Sequence, residues 1–350
     1  MKTNRCLFFG AVFSATALLI AGCGGGGGGG GDTSTPAVAA TPAPPVSAAP
    51  NRVPALLASS YAADSEEQGA FNLLNFERER CGFGTLMQNT QLDAAARGHA
   101  DYQIINNLLT HVQNRATNPA GFTGTSPADR VQAAGYADAG GVTDEIVGYF
   151  GTSRKTGLGA EGLRGLLSAP YHLRGLVGGY RDVGISVRNN TDLGISSPMV
   201  YLQINAAYKA SAGPQLLAAN SVNTYPCEGS VGVNRQLSNE TPNPVPGRDL
   251  AVDPLGAVVY IGTREGSQLV ITSSSMLEVP TKQLVRLRAP VTAANDPYSP
   301  CLEGCFKEHQ AYIAADAPMR ANTSYQVSVT GTNNGTPFSR TFTFVTGTGG

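Results

Sequence analysis

The chain has 350 residues, of which 41% are hydrophobic and 14% charged, and a formal net charge of -1. That length suits two domains, each able to bury its own core, while the near-neutral balance and scattered Lys and Arg exclude nucleic acid as a partner and leave no basic patch for anionic lipid. With 43 Gly and 22 Pro, the composition points to turns and tethers in place of long charge-laced helices.

Lys2 and Arg5 precede the apolar run LFFGAVFSATALLIAG, which is too short for a comfortable membrane span but suits a secretory signal over residues 1–22. The run ends on Ile20-Ala21-Gly22-Cys23, which resembles the bacterial lipobox and implies lipidation of Cys23. Gly24 follows the Cys where inner-membrane retention would use Asp. The resemblance therefore implies a lipid-anchored chain in the cell envelope, sorted to the outer membrane of a Gram-negative bacterium. Residues 23–64 read as a tether, flexible through the glycines and stiffened later by Pro.

From Ser65 the pattern turns helical, with Ala70, Leu73 and Leu74 at helical spacing and Glu66 and Glu67 in the first turn. This helix is expected to end near Cys81-Gly82. A second helix begins with Thr90 as N-cap and carries Leu92, Ala95, Ala96 and His99 on one face. His99 reads there as packing. His111 follows the helical pattern and enters a polar, Gly-containing loop, where a His is available for binding.

Ser126-Pro127 with Asp129 marks the start of a third helix, which Gly135 stops. Asp144-Glu145 then lies in a short segment between Gly141 and Gly148, and precedes Ile-Val, so that one carboxylate is expected to turn inward and the other to face solvent. LGAEGLRGLLSAPYHLRGL reads as a helix, a break at Ser168-Ala169-Pro170 and a short helical turn carrying His172. DVGISVRN and PMVYLQINAAY read as two antiparallel strands. Helices first and strands later predict an α+β fold.

Four Cys lie beyond Cys23: Cys81, Cys227, Cys301 and Cys305. An even number in an exported chain reads as two disulfides. Cys301 and Cys305 enclose only Leu-Glu-Gly and so are expected to pair, leaving Cys81 with Cys227; a four-Cys zinc site, the other reading, lacks a second close pair.

LLNFERERCGFGTLMQNTQLDAAARGHADYQ, followed in order by SPADRVQAAGY, the Glu before Ile, SAPYHLRGL and DVGISV, resembles the CAP superfamily, the cysteine-rich secretory, antigen 5 and pathogenesis-related proteins with an SCP domain, in its bacterial subset. The resemblance implies a three-layer α-β-α sandwich over residues 65–215 with a central cleft. It places His111, Glu145 and His172 in that cleft, with Gln203 as the fourth polar residue. It also implies that His111, His172 and Glu145 are able to hold Zn²⁺ or another divalent metal. The chain departs from the family at Glu145-Ile146, where Glu-Asn-Ile is common, and at His172-Leu173-Arg174-Gly175, where His-Arg-Asn is frequent.

Residues 216–247 contain the Pro-rich TPNPVPG and read as a linker. Beyond it, AVVYIG, QLVITSSSML, QLVRLRA, QAYIAA, SYQVSVTG and RTFTFVTG alternate with turn signals, Asn334-Gly335 among them. This is the pattern of a small all-β sandwich over 248–350 and resembles bacterial Ig-like domains. His309 reads as a surface residue.

Ser126 caps a helix and Ser168 starts a turn, and neither has a base at a local spacing that would make it a nucleophile. The favoured expectation is a non-enzymatic envelope module whose cleft binds a lipid, an envelope polymer or a protein. The alternatives are a metal-assisted peptidase or cell-wall hydrolase with Glu145 as general base, and a purely structural envelope protein.

Overall fold

A computed structural model describes residues 51–53, 57–299 and 305–349. The signal segment, Cys23, most of the tether and Cys301 lie outside the described residues. None of the helices among those residues is long and apolar enough to cross a membrane.

Among the described residues five α-helices form: α1 (Glu66–Arg80), α2 (Thr90–Asn106), α3 (Pro127–Ala133), α4 (Leu158–Ser168) and α5 (Pro170–Leu176). Ser65 caps α1 by accepting from the Gln68 N–H, and Ser126 and Asp129 form a reciprocal capping box on α3. The cap of α2 is Asn89, one residue before the expected Thr90; its carboxamide oxygen accepts from the Gln91 and Leu92 N–H groups, an exchange of one good capping side chain for another. Glycine at the N-terminus of α4 offers no side chain, and Glu66 of α1 reaches across to accept from the N–H groups of Gly157 and Gly159 at 2.7 and 2.8 Å.

Strands β1 (Met87–Gln88), β2 (Ala139–Phe150), β3 (Asp182–Asn189) and β4 (Met199–Lys209) make one sheet in the order β1-β3-β4-β2. β4 is buried almost throughout. Its Val200, Leu202, Ile204 and Ala206 join an apolar cluster with α1, α4 and α5, while Met199, Tyr201 and Ala207 face residues of α2. Both faces of the sheet are therefore covered, which explains a nearly continuous apolar strand in an antiparallel setting. Gly184 permits the close crossing of α2 over β3, since a Cβ there would stand 2.0 Å from the Leu92 carbonyl carbon.

Among the described residues the elements of the later chain are all strands: β5 (Asn223–Tyr225), β6 (Val231–Val233), β7 (Gln236–Leu237), β8 (Leu255–Gly256), β9 (Val258–Gly262), β10 (Leu269–Glu278), β11 (Gln283–Leu284), β12 (Val291–Thr292), β13 (Gln310–Ala314), β14 (Ser324–Asn333) and β15 (Thr336–Thr346). They form sheets β11-β10-β14-β15-β6 and β12-β13-β9-β5, with a small β7-β8 pair. Val259, Ile261 and Ile313 pack against Val327, Phe342 and Phe344 of the larger sheet. The alternate residues Val258, Tyr260 and Tyr312 join the cluster that also contains Leu173 and Leu176 of α5. One core thus runs from the helical half into the strand half. β14 and β15 turn through Asn334-Gly335, both with positive φ, as a two-residue hairpin requires.

Residues 216–247, read from sequence as a linker, hold three strands that pair with β9, β15 and β8. QLVRLRA yields only the two exposed residues of β11, because Arg286 and Arg288 turn to Asp316 at 3.2 and 3.0 Å. Cys81 is disulfide-bonded to Cys227, the pairing expected from the cysteine spacing. Cys305 is also disulfide-bonded; its expected partner Cys301 lies outside the described residues.

Candidate functional site

Asp144 and Glu145 are consecutive in β2, so their side chains leave opposite faces of the strand. Both are buried, which corrects the expectation that one faces solvent: each has a cationic or imidazole partner on its own side. Asp144 Oδ2 accepts from His111 Nδ1 at 3.0 Å, and its Oδ1 meets the Arg130 guanidinium at 3.1 Å. Gln203 Nε2 donates to the same Oδ1 at 2.6 Å, and the Asn205 carboxamide, turned nitrogen-first, donates to it at 2.6 Å. Glu145 Oε2 accepts from His172 Nδ1 at 2.7 Å, and its Oε1 from the Thr143 hydroxyl at 2.7 Å.

Burial opposes ionisation of Asp144, yet the His111 bond and the charges of Arg130 and the nearby histidines hold it below its ordinary value. For His111 burial also opposes the charge, but the Asp144 bond and the Asp144 and Glu145 charges outweigh it and raise the imidazole. His99 is different. Burial pushes it down to about 4, so it is neutral, donating Nε2–H to the Thr110 carbonyl and accepting from Gln113 at Nδ1. It holds the backbone from which His111 projects.

His111 comes from the loop after α2 and His172 from α5, on opposite sides of the sheet, and their ring centroids stand 5.9 Å apart. The two imidazoles are 43% and 14% exposed. With each Nδ1 on a carboxylate, both Nε2 atoms are left for a ligand. Gly175 lets α5 approach so closely: a Cβ there would stand 1.8 Å from Glu145 Oε1. Gln203 lies under this pair, fully buried and committed to Asp144.

The two histidines open on a cleft of about 1100 Å³, floored by Ile146–Tyr149 of β2 and walled by α4 on one part and by segments 232–241 and 347–349 on another. Glu240 of that wall was not anticipated. Its Oε1 accepts from the Tyr171 and His172 N–H groups at 2.7 and 3.4 Å, supplying the cap that α5 otherwise lacks, and its buried Oε2 has no hydrogen-bond partner among the described residues. Desolvation raises Glu240 well above the ordinary carboxylate range, with the Glu145 charge adding to the effect. Asp144 was legible only as an acid; its bond to His111 and Arg130 is set by chain contacts with no local signal.

Among the described residues no three His, Cys, Asp or Glu side chains converge as a metal site needs. His111, His172 and Glu145 are neighbours, but both oxygens of Glu145 are engaged. The donor set offered is two imidazole nitrogens, short of the three protein ligands of an open zinc site.

No family model and no curated protein matches the chain. Among solved structures it is similar to an outer surface protein from Borrelia burgdorferi, at 13% identity and a TM-score of 0.33 over 43% of this chain and 96% of that one. It is also similar to an extracellular protein containing an SCP domain from Bacillus anthracis str. Ames, at 20% identity and a TM-score of 0.31 over 41% of this chain and 40% of that one.

Proposed function

We propose that the chain is a lipid-anchored envelope protein of the CAP superfamily whose α-β-α layers and Ig-like strands frame one binding cleft, and that it binds its ligand there without chemistry. The observation that supports this most is the pair of imidazoles, each backed by its own carboxylate, meeting at 5.9 Å at the mouth of a cleft of about 1100 Å³. Fixed Nδ1–H bonds set the tautomer and aim of each ring, which is how a cleft presents a few oriented polar contacts. The hydrolytic alternative asks Glu145 to take a proton from water, but its oxygens already serve His172 and Thr143. A divalent ion in this reading is a guest of the two Nε2 atoms and not required for binding.

The test is calorimetry of the mature chain and of the double variant His111→Ala/His172→Ala against three probes: phosphatidylethanolamine–phosphatidylglycerol vesicles, solubilised peptidoglycan fragments and a peptide library. Loss of one probe in the double variant, with the fold intact by circular dichroism, is the expected result. Equal binding by both proteins to every probe refutes the reading, and turnover of a probe that the double variant abolishes replaces it with the enzymatic one.

A further inference from the structure

Among the described residues the sheet that carries the histidines has a free edge, and the fold treats its edges unequally. On the β3 side the main chain is sealed. β1 pairs with the first two residues of β3; beyond it the Ile185 N–H meets the Tyr61 hydroxyl and Asp93 at 3.0 and 2.9 Å, and the Val187 N–H meets Glu67 at 2.9 Å. Side chains are spent there to blunt an edge.

At β2 the situation is reversed. The Gly151 N–H donates to the Pro198 carbonyl at 2.8 Å, in register with the unbroken pairing from Gly141↔Tyr208 to Phe150↔Met199. In an antiparallel ladder alternate residues turn both main-chain groups to the neighbour. Gly151, Tyr149, Val147 and Glu145 therefore face β4, and Gly148 and Ile146 turn their N–H and C=O outward. Among the described residues β2 has no second strand neighbour and no group bonds those of Ile146 and Gly148. Both residues line the cleft, whose lining also includes Asn239, a carboxamide suited to main-chain donors and acceptors.

We propose that the ligand of the cleft is an extended peptide, which adds to β2 as an outer strand by exchanging main-chain hydrogen bonds with Ile146 and Gly148 while its alternate side chains meet His111 and His172. This deepens the proposed function and rests on it. Unpaired main-chain groups on an edge are the recognition element of strand addition, and a cleft of about 1100 Å³ has room for a short extended segment. No covalent step is involved.

The experiment pans the mature full chain against a phage-displayed random decapeptide library and measures synthetic binders by calorimetry. Each binder is then remade with one N-methyl group at successive positions, which removes single N–H donors. Loss of about tenfold or more at alternate positions, with little change between them, is expected for strand addition, together with slowed hydrogen exchange at the Ile146 and Gly148 N–H groups. The blocking variant Gly165→Trp is expected to lose the peptide too. Gly165 lines the cleft, and a Cβ there meets nothing within 4 Å, so the backbone leaves room for a side chain at that point of the cleft, and circular dichroism checks that the variant keeps its fold.

Binders that tolerate N-methylation everywhere, or lose affinity without alternation, overturn the proposal. If no peptide binds while vesicles or peptidoglycan fragments bind and are lost in the double histidine variant, the peptide class falls and the cleft reading stands. If no probe binds, both fall.

Discussion

Glu240 joins the strand half of the molecule to the histidine site, and its removal has a calculable consequence. Glu240→Ala takes the acceptor from the Tyr171 and His172 N–H groups. Loss of a helix cap costs about 1 kcal/mol, and a buried N–H left unsatisfied about 1–3 kcal/mol; since the second contact is long, the expected loss is about 2 kcal/mol. Glu240→Gln keeps the oxygen acceptor and should hold the cap. It also removes the titration. The folded carboxyl is raised by desolvation and by Glu145, so its contribution to stability is complete below the unfolded value near 4.5 and is lost as pH rises towards the folded value. Relative to the wild type, Glu240→Gln should therefore gain stability with rising pH, at a slope no steeper than about 1.4 kcal/mol per pH unit. Urea unfolding followed by circular dichroism from about pH 5 to about pH 8 measures this. A difference between the two proteins that stays constant over that range would refute the placement of Glu240 as a buried neutral acid.

Gly175→Ala should displace Glu145, because its Cβ would overlap Oε1; a loss of about 1–3 kcal/mol is expected in thermal unfolding. Gly165→Ala on α4, where a Cβ meets nothing, should be neutral or stabilising by up to about 1 kcal/mol. Asp144→Asn leaves the Arg130 guanidinium buried without its counter-charge and should cost about 3–5 kcal/mol in urea unfolding. In the wild type the His111 imidazole should titrate by NMR above the ordinary 6.5, its bond to Asp144 losing its charge-assisted part as pH rises through that midpoint; in Asp144→Asn the midpoint should fall.

Much of the helical half is legible because its signals are local. Ser65, Ser126 and Asp129 mark helix starts through bonds made within three residues, and the alternation of DVGISVRN follows from the pleat itself. β2 was legible only as an acidic pair in a short segment, since AGGVTDEIVGYF mixes three glycines with two adjacent acids and shows no clean period. Those acids are tolerated in a buried strand because His111, Arg130 and His172 arrive from residues 33, 14 and 27 positions away. The strands within 216–247 are two or three residues long, too short to carry a period. Their place is set by pairing with strands far along the chain.

Consecutive acids on one strand must point to opposite faces, so imidazoles that bind Asp144 and Glu145 start on opposite sides of the sheet. Within the middle of a sheet those rings would be kept apart by neighbouring strands. At an edge they reach round the strand and meet, as His111 and His172 do at 5.9 Å. The paired-histidine site therefore requires β2 to be an edge strand, and an edge strand that no other segment among the described residues pairs with keeps outward main-chain groups. Sealing β2 as Tyr61, Asp93 and Glu67 seal β3 would put side chains where the rings now meet. The open edge and the histidine pair are two results of the same strand placement, which is why a ligand that reads one is expected to touch the other.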